Sequence, residues 1–179
     1  MAALIEAAQA PDYPADIQLV ISNRPEAAGL LKADGLGVKT ICIDHRDFSN
    51  RAAFEAELDA ALTAHNIKFV ACAGFMRVLG EAFVQSWSGK LINIHPSLLP
   101  KYKGLHTHKR ALEAADEKHG CTVHWVNKGV DEGKIIAQSE LDILPEDTPD
   151  TLARRVQTLE HRLYPKALAA ALAAAITMH

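Results

Sequence analysis

Short apolar segments alternate with amphipathic segments along the first half of this chain, and this alternation constrains the fold most. The predicted strands are four apolar runs, at 17–22, 38–43, 67–72 and 90–94. Helical periodicity or helix-ending residues predict helices at 1–10, 26–34, 50–65 and 80–87. Strands that alternate with helices need crossover connections. The pattern therefore predicts an α/β fold with three layers, a mostly parallel sheet with helices on both faces.

The second half of the chain departs from this alternation after Pro96. Residues 97–106 hold turn formers and no periodicity, which predicts a loop. The remaining predicted elements are a helix at 107–118, strands at 121–126 and 135–143, and a long helix at 148–176. The last two strands are joined by a short loop, which favours an antiparallel or mixed edge. Since no repeat or linker divides the 179 residues, we expect one domain over 1–179.

Charge and composition argue against several classes of partner. The chain has 19 Lys and Arg against 22 Asp and Glu, and 6% aromatic residues. It therefore lacks the basic surface and the stacking residues that nucleic-acid binding uses. We expect no membrane partner, because no apolar stretch is long enough to span a bilayer. The three cysteines lie in apolar runs, so we expect buried free thiols in a cytoplasmic protein: Cys42, Cys72 and Cys121.

The segment with the clearest chemistry is the strand at 90–94 and the residues just after it. Asn93 and His95 are two apart, so they point to the same face of a strand that Pro96 ends. An amide can donate to a developing oxyanion, and an imidazole can move a proton to or from a nitrogen, which suits acyl transfer. The alternative is a polar strand end whose histidine is only structural, and spacing alone favours that alternative.

Two further segments carry candidate residues. Asp131 lies in a loop flanked by glycines, where an aspartate facing His95 would orient the imidazole and favour its protonated form. Ordinary turn chemistry is the alternative for Asp131. Residues 74–79 follow a strand and could line a slot for a flat heterocycle, with Arg77 meeting a carboxylate. Core packing with one solvated arginine is the alternative for that segment.

Other site types find little support in the sequence. His106 and His108 form an H-x-H pair, but no third ligand at a suitable spacing is evident, so we expect no metal. The motifs of serine hydrolases, P-loop proteins and dinucleotide-binding proteins are absent from the sequence. Cys72 lies within an apolar strand, which argues against a thiol nucleophile.

The run from Asn93 to His108 closely resembles the phosphoribosylglycinamide formyltransferase family. Residues 73–79, 119–126, 131–133 and 155–161 match other segments of that family. The resemblance covers nearly the whole chain and outweighs the structural alternatives given above. It implies transfer of a formyl group from the cosubstrate 10-formyltetrahydrofolate to the amine of glycinamide ribonucleotide, a step in purine synthesis.

The resemblance also implies a role for individual residues. His95 would be the general acid and base, Asp131 would hold it, and Asn93 would polarise the formyl carbonyl. Because the substrate amine is the nucleophile, the enzyme needs none of its own. The residues implied to bind the cosubstrate are Arg51, Met76, Arg77, Val78, Leu79, Asn93, Asn127, Lys128, Gly129, Val130 and Asp131. Those implied to bind the ribonucleotide are Gln157, Thr158, Leu159 and Glu160, with Glu160 on the ribose hydroxyls.

The match departs from the family pattern at the amino terminus. The family opens with an apolar strand and a Gly-x-Gly-Ser-Asn turn that binds the substrate phosphate, whereas this sequence starts where the following helix is expected. We therefore expect a sheet without its first strand, and Met1 to be an internal methionine of a longer protein. The alternatives are a formyltetrahydrofolate deformylase and an inactive folate-binding fragment. A transferase acting on tRNA would need an extra basic domain.

Overall fold

The structure is a computed structural model that describes residues 1–177. Its strands are β1 (Leu19–Ser22), β2 (Lys39–Cys42), β3 (Val70–Cys72), β4 (Leu91–His95), β5 (Lys118–Trp125) and β6 (Ile135–Asp142). Its α-helices are α1 (Ala2–Ala8), α2 (Ala28–Gly35), α3 (Arg51–Ala64), α4 (Glu81–Ser86), α5 (Thr107–Glu113) and α6 (Pro149–Thr177). A 3-10 turn at His45–Asp47 joins β2 to α3. Every predicted element is present.

The largest boundary error lies between α5 and β5. The helix predicted to reach residue 118 ends at Glu113, and β5 begins at Lys118, three residues before the predicted strand. Ala115 has a φ of 52°, a left-handed conformation that an α-helix cannot continue through. Tertiary contacts select that turn, because no glycine or proline marks it in the sequence.

The strands form two sheets. β1 pairs with β2 in a parallel sheet, and the second sheet has the order β3-β4-β5-β6. The pair β3 and β4 is parallel, whereas β4 with β5 and β5 with β6 are antiparallel. The α/β class with helices on both sides is confirmed, and so is the antiparallel edge expected for the last two strands. Because β4 and β5 are antiparallel as well, the pairing is mixed rather than mostly parallel. The physical reason is that α5 does not carry the chain across the sheet but packs against α6.

Apolar side chains cover both faces of the second sheet. Ile92 and Ile94 of β4 pack with Val123 of β5 against α1 and α6. Leu91 points to the opposite face and packs with Leu62 of α3 and with side chains of α4. Ile21 of β1 and Val70 of β3 contact that same α3–α4 cluster, although β1 and β3 are not paired with each other. Within residues 1–177, each of these two strands therefore has one edge without a strand partner.

The cysteines do not all lie in the core. Cys121 is buried and Cys72 is half-buried, and burial raises the pKa of the Cys72 thiol to about 12. Cys42 is exposed, so the prediction that all three thiols are buried is wrong for this residue. Cys42 is the last residue of β2, an edge strand that pairs with β1 in the described structure. In the described part of the chain, no helix is both long enough and apolar enough to cross a membrane.

Candidate functional site

The candidate site is built on the antiparallel pair of β4 and β5. In the register of this pair, Asn93 lies opposite His124, and His95 lies opposite Thr122. Because side chains alternate along a strand, these four residues share one face of the sheet. Their neighbours Ile94 and Val123 point the other way, into the core under α6. The sheet thus supplies a rigid base on which polar groups from two strands converge.

His95 is the central residue of this group and is 6% exposed. Its Nδ1 atom lies 3.3 Å from Oδ2 of Asp131, and its Nε2 atom lies 2.9 Å from the backbone oxygen of Tyr102. The Tyr102 oxygen is a hydrogen-bond acceptor, so Nε2 donates to it. The imidazole therefore lies between a backbone acceptor on one side and the carboxylate of Asp131 on the other.

Asp131 reaches His95 because the loop after β5 folds back over the sheet. A Cβ atom at Gly133 would lie 1.5 Å from the backbone oxygen of Trp125, so the return of this loop requires glycine there. Asp131 itself has a φ of 51°, a conformation that aspartate tolerates better than most residues. The sequence named Asp131 as a candidate, and the structure brings its carboxylate into contact with His95.

The carboxylate of Asp131 is held on both oxygens. Oδ2 accepts a hydrogen bond of 2.9 Å from the backbone N–H of Gly104, and Oδ1 lies 3.5 Å from Nε2 of His124. Burial raises the pKa of Asp131, but the hydrogen bonds with His124 and Gly104 and the nearby His95 outweigh it and lower this pKa below its ordinary value. Asp131 is therefore a carboxylate at neutral pH.

His124 joins Asn93 to this network and was not singled out in the sequence. Its Nδ1 atom donates to the backbone oxygen of Trp125 at 2.9 Å, and its Nε2 atom is the one that faces Asp131. Nδ2 of Asn93 lies 3.4 Å from that Nε2 atom. The alternation of residues 121–126 in the sequence places Thr122 and His124 on one face of the strand. That pattern could have identified His124 as a site residue.

The H-x-H pair considered as a metal site is separated in the structure. His106 is exposed, whereas Nδ1 of His108 lies 3.1 Å from Nε2 of His119, a buried residue of β5. Within residues 1–177, no group of three or more His, Cys, Asp or Glu side chains is arranged to hold a metal ion.

The buried His119 predicts a pH-dependent stability. Burial, assisted by His108, lowers the pKa of His119 from 6.5 to about 4. Between these values the unfolded chain binds a proton that the folded chain does not, so stability falls as the pH falls. We expect the free energy of unfolding to drop about 2 kcal/mol further between pH 7.5 and 5 in the native protein than in His119→Gln. Denaturant titrations at both pH values measure this.

The control for that measurement is His161→Gln, which changes an exposed histidine of α6. This variant keeps the buried His119, so it should keep the full pH-dependent loss. An equal loss of stability in the native protein and in His119→Gln would contradict the assignment to His119.

The first segment expected to bind the cosubstrate is a loop between β3 and α4. Met76 is 70% exposed and Val78 is 55% exposed, which leaves two apolar side chains open to a ligand. Leu79 is half-buried and packs on the α3–α4 cluster, as does Val126, which precedes the second expected segment. The two segments are thus attached to the same part of the core.

The two arginines expected to meet carboxylates lie beside the first turns of α3. Arg77 lies over the ring of Phe54, with Cζ 5.9 Å from the ring centre. Arg51 is the first residue of α3, and its Nε atom lies 3.7 Å from a carboxylate oxygen of Glu55. Both guanidinium groups are mainly exposed and can reach a further anion.

The second expected segment, 127–131, is a mostly exposed loop. Oδ1 of Asn127 accepts a hydrogen bond of 3.0 Å from the backbone N–H of Gly129, which closes a tight turn. Lys128 is exposed, and Val130 is 48% exposed. Asp131 is therefore the member of this segment that the structure brings against His95.

The residues expected to bind the ribonucleotide lie on α6. Gln157 and Thr158 are exposed, and Leu159 is half-buried in the cluster around Cys121. Glu160 is also half-buried, and burial raises its pKa. None of the four makes a hydrogen bond or ion pair with Asn93, His95 or Asp131 in the described structure, so a ligand would have to bridge the two groups.

Comparison with known proteins gives consistent matches over most of the chain. A family model described as formyl transferase matches residues 1–168. The phosphoribosylglycinamide formyltransferase of Escherichia coli is 42% identical over 163 residues, covering 91% of this chain and 77% of that protein. The trifunctional purine biosynthetic protein adenosine-3 of Drosophila melanogaster is 49% identical over 169 residues. That alignment covers 93% of this chain but only 12% of the trifunctional protein.

Solved structures show the same likeness. The crystal structure of phosphoribosylglycinamide formyltransferase from Brucella melitensis superposes with a TM-score of 0.90 at 48% sequence identity. That match covers 94% of this chain and 87% of the Brucella chain.

Proposed function

Because this chain belongs to the formyl transferase family, we propose that it transfers the formyl group of 10-formyltetrahydrofolate to the amine of glycinamide ribonucleotide. The observation that carries the proposal is the contact of 3.3 Å between the buried His95 and Asp131, beside an amide from the same strand. The relatives that bear the name phosphoribosylglycinamide formyltransferase support this choice of acceptor. The reaction belongs to purine biosynthesis.

His95 performs the proton transfers of this reaction. As the amine nitrogen bonds to the formyl carbon it must lose a proton, and the nitrogen that leaves the formyl carbon must gain one. An imidazole can accept the first proton and deliver the second, so no net proton is consumed. The carboxylate of Asp131 stabilises the protonated ring in between and fixes its orientation.

Asn93 stabilises the charge that develops on the formyl oxygen. Its Nδ2 atom lies 3.4 Å from Nε2 of His124, a long contact that a substrate oxygen can replace. A donor held in place on a strand needs no reorganisation when the oxygen becomes negative, which makes such groups effective. His124 thereby keeps the amide oriented before the substrates bind.

The cosubstrate binds between the loops 74–79 and 127–131. The exposed Met76, Val78 and Val130 supply apolar walls for a flat ring, and backbone groups of these loops supply polar contacts. Arg51 and Arg77 bind the carboxylates of its glutamate tail. The formyl group that the cosubstrate supplies then lies beside Asn93 and His95.

The ribonucleotide binds along α6 at Gln157, Thr158, Leu159 and Glu160. Carboxylate oxygens are good acceptors for paired ribose hydroxyls, and we assign Glu160 to them. The three free cysteines fit a reducing compartment, which supports a cytoplasmic location for the enzyme.

Residues 1–179 form one formyltransferase domain in this proposal. The support is that β1 of the first sheet and β3 of the second pack on one shared core cluster. In the described structure β1 and β3 are not paired, so this shared cluster is what joins the two sheets. One domain requires both sheets to unfold in a single cooperative transition, and two separate transitions would contradict it.

A turnover assay with and without the acceptor tests the function. The protein, in the form its cells produce, is incubated with 10-formyltetrahydrofolate, and we expect formylated glycinamide ribonucleotide when the acceptor is present. Release of formate without the acceptor would instead indicate a deformylase, an alternative that the names of the relatives do not favour. Binding of the folate without any turnover would indicate a folate-binding protein.

A further inference from the structure

Glu55 is a buried carboxylate that the proposed chemistry does not use. It is 7% exposed and lies in the first half of α3, directly after Phe54. Asn50 starts this helix with a side-chain oxygen that accepts from the backbone N–H of Ala53 at 2.9 Å, which fixes the first turn. Glu55 therefore projects from a rigid element. A buried carboxylate is costly unless it is hydrogen-bonded, so its partners indicate its role.

The first partner is the last residue of the loop that follows β3. Oε1 of Glu55 accepts a buried hydrogen bond of 2.7 Å from the backbone N–H of Gly80, the residue that precedes α4. The fit is tight, because a Cβ atom at Gly80 would lie 2.6 Å from Oε2 of Glu55. A charged acceptor makes this bond stronger than a bond between neutral groups. Glu55 thus fastens the end of the loop to α3.

The second partner is the guanidinium group of Arg51. Its Nε atom lies 3.7 Å from the same Oε1 atom, and it also lines the space beside Gly80. The preceding residue of α3, Phe54, carries Arg77 over its ring. Phe54 and Glu55 are thus neighbours on α3 that make three contacts. Phe54 contacts Arg77 in the middle of the loop, and Glu55 contacts both Gly80 at its end and Arg51.

The rest of the loop is only partly ordered by packing. Leu79 packs on the α3–α4 cluster, but Met76 and Val78 are exposed, and the segment begins at Gly74, whose φ of 70° lies in the left-handed region that favours glycine. A loop that is mobile before binding must be ordered by the ligand, and that ordering weakens affinity. A buried anchor that orders the loop in advance avoids this loss.

We propose that Glu55 is a positioning residue for the formylfolate cosubstrate, because it holds the 74–80 loop and Arg51 in the conformation that binds it. This inference rests on the proposed function, since it assumes that these segments bind the cosubstrate. Glu55 contacts no reacting atom in this scheme. Its loss should therefore weaken binding of one substrate and leave the chemical step and the other substrate unaffected.

Steady-state kinetics on the full-length protein test this prediction. We expect Glu55→Ala to raise the KM for 10-formyltetrahydrofolate at least tenfold, with kcat and the KM for glycinamide ribonucleotide within twofold of native. Glu55→Gln keeps an oxygen that accepts from the N–H of Gly80, so it should restore the KM to within about threefold of the native value. Glu57→Ala changes an exposed carboxylate of the same helix and should alter no constant.

A second variant changes Gly80, the other partner of this contact. It keeps the proposal testable if Glu55→Ala does not fold. Gly80→Ala inserts a methyl group 2.6 Å from Oε2 of Glu55 and should also raise the KM for the folate alone. Two results would overturn the role of Glu55: equal rises in KM for both substrates, or a KM for the folate that neither variant changes. Formyl transfer by the native protein would still uphold the proposed function in either case. A native protein that binds no folate in calorimetry would overturn both.

Discussion

We expect His95→Gln to lower kcat for formyl transfer by about 10²- to 10⁴-fold, the usual contribution of a positioned general acid and base. Glutamine fills similar space and can still donate to the backbone oxygen of Tyr102, but it cannot carry a proton from one nitrogen to another. The KM values should change little, because the ring is 6% exposed and offers little surface to a ligand. Steady-state kinetics with both substrates varied measure the effect.

Because His95 and Asp131 are in contact, a double variant provides a further test. Residues that act as one unit are strongly non-additive, so His95→Gln combined with Asp131→Asn should be no slower than His95→Gln alone. The control is His65→Gln, which changes a histidine at the end of α3. The Nδ1 atom of this histidine lies 2.8 Å from the backbone oxygen of Ala61. A double variant that loses the product of the two single effects would show that these residues act independently.

The second large effect is structural: Gly120→Ala should lower the free energy of unfolding by about 3 kcal/mol or more. Gly120 lies in β5, opposite Glu140 of β6. A Cβ atom there would lie 2.0 Å from the backbone oxygen of Ser139 and 3.0 Å from Cα of Glu140. Both are backbone atoms in a strand ladder, so relief requires the two strands to separate. Chemical denaturation of native and variant protein tests this.

A matched glycine shows what the same substitution does without a clash. Gly35 is the last residue of α2, and a Cβ atom there would have no neighbour within 4 Å. Gly35→Ala should stabilise the protein by up to about 1 kcal/mol, because alanine restricts the unfolded chain and favours a helix. If Gly120→Ala were tolerated as well as Gly35→Ala, the close approach of β5 and β6 would be refuted.

Local sequence pattern was sufficient to predict the helices and strands, and also the part of the site that β4 contributes. Apolar runs, hydrophobic periodicity and helix-ending residues predicted every strand and helix, because these signals follow from local backbone geometry. The same argument placed Asn93 and His95 on one face of β4, and the structure has them there, opposite the cluster that holds Ile92 and Ile94. The specific motifs also led to the family, which the comparisons support.

Other features depend on contacts between distant residues, and periodicity does not report those. The antiparallel direction of β5 depends on α5 packing against α6, and the end of α5 on a left-handed residue with no local marker. The exposed Cys42 reflects which strand forms the sheet edge. Glu55 was not singled out in the sequence, because its partner Gly80 is 25 residues away.

The same distinction between local pattern and long-range contacts applies to the chemistry of the site. The amino-acid sequence by itself determined which residue types were present and which of them a single strand presents together, since one strand has one geometry. Only the tertiary structure decided that Asp131 meets His95 and that His124 completes the network. The physical reason is that this contact depends on a loop folding back past Gly133 and on the register between two strands, and both are set by packing across the sheet.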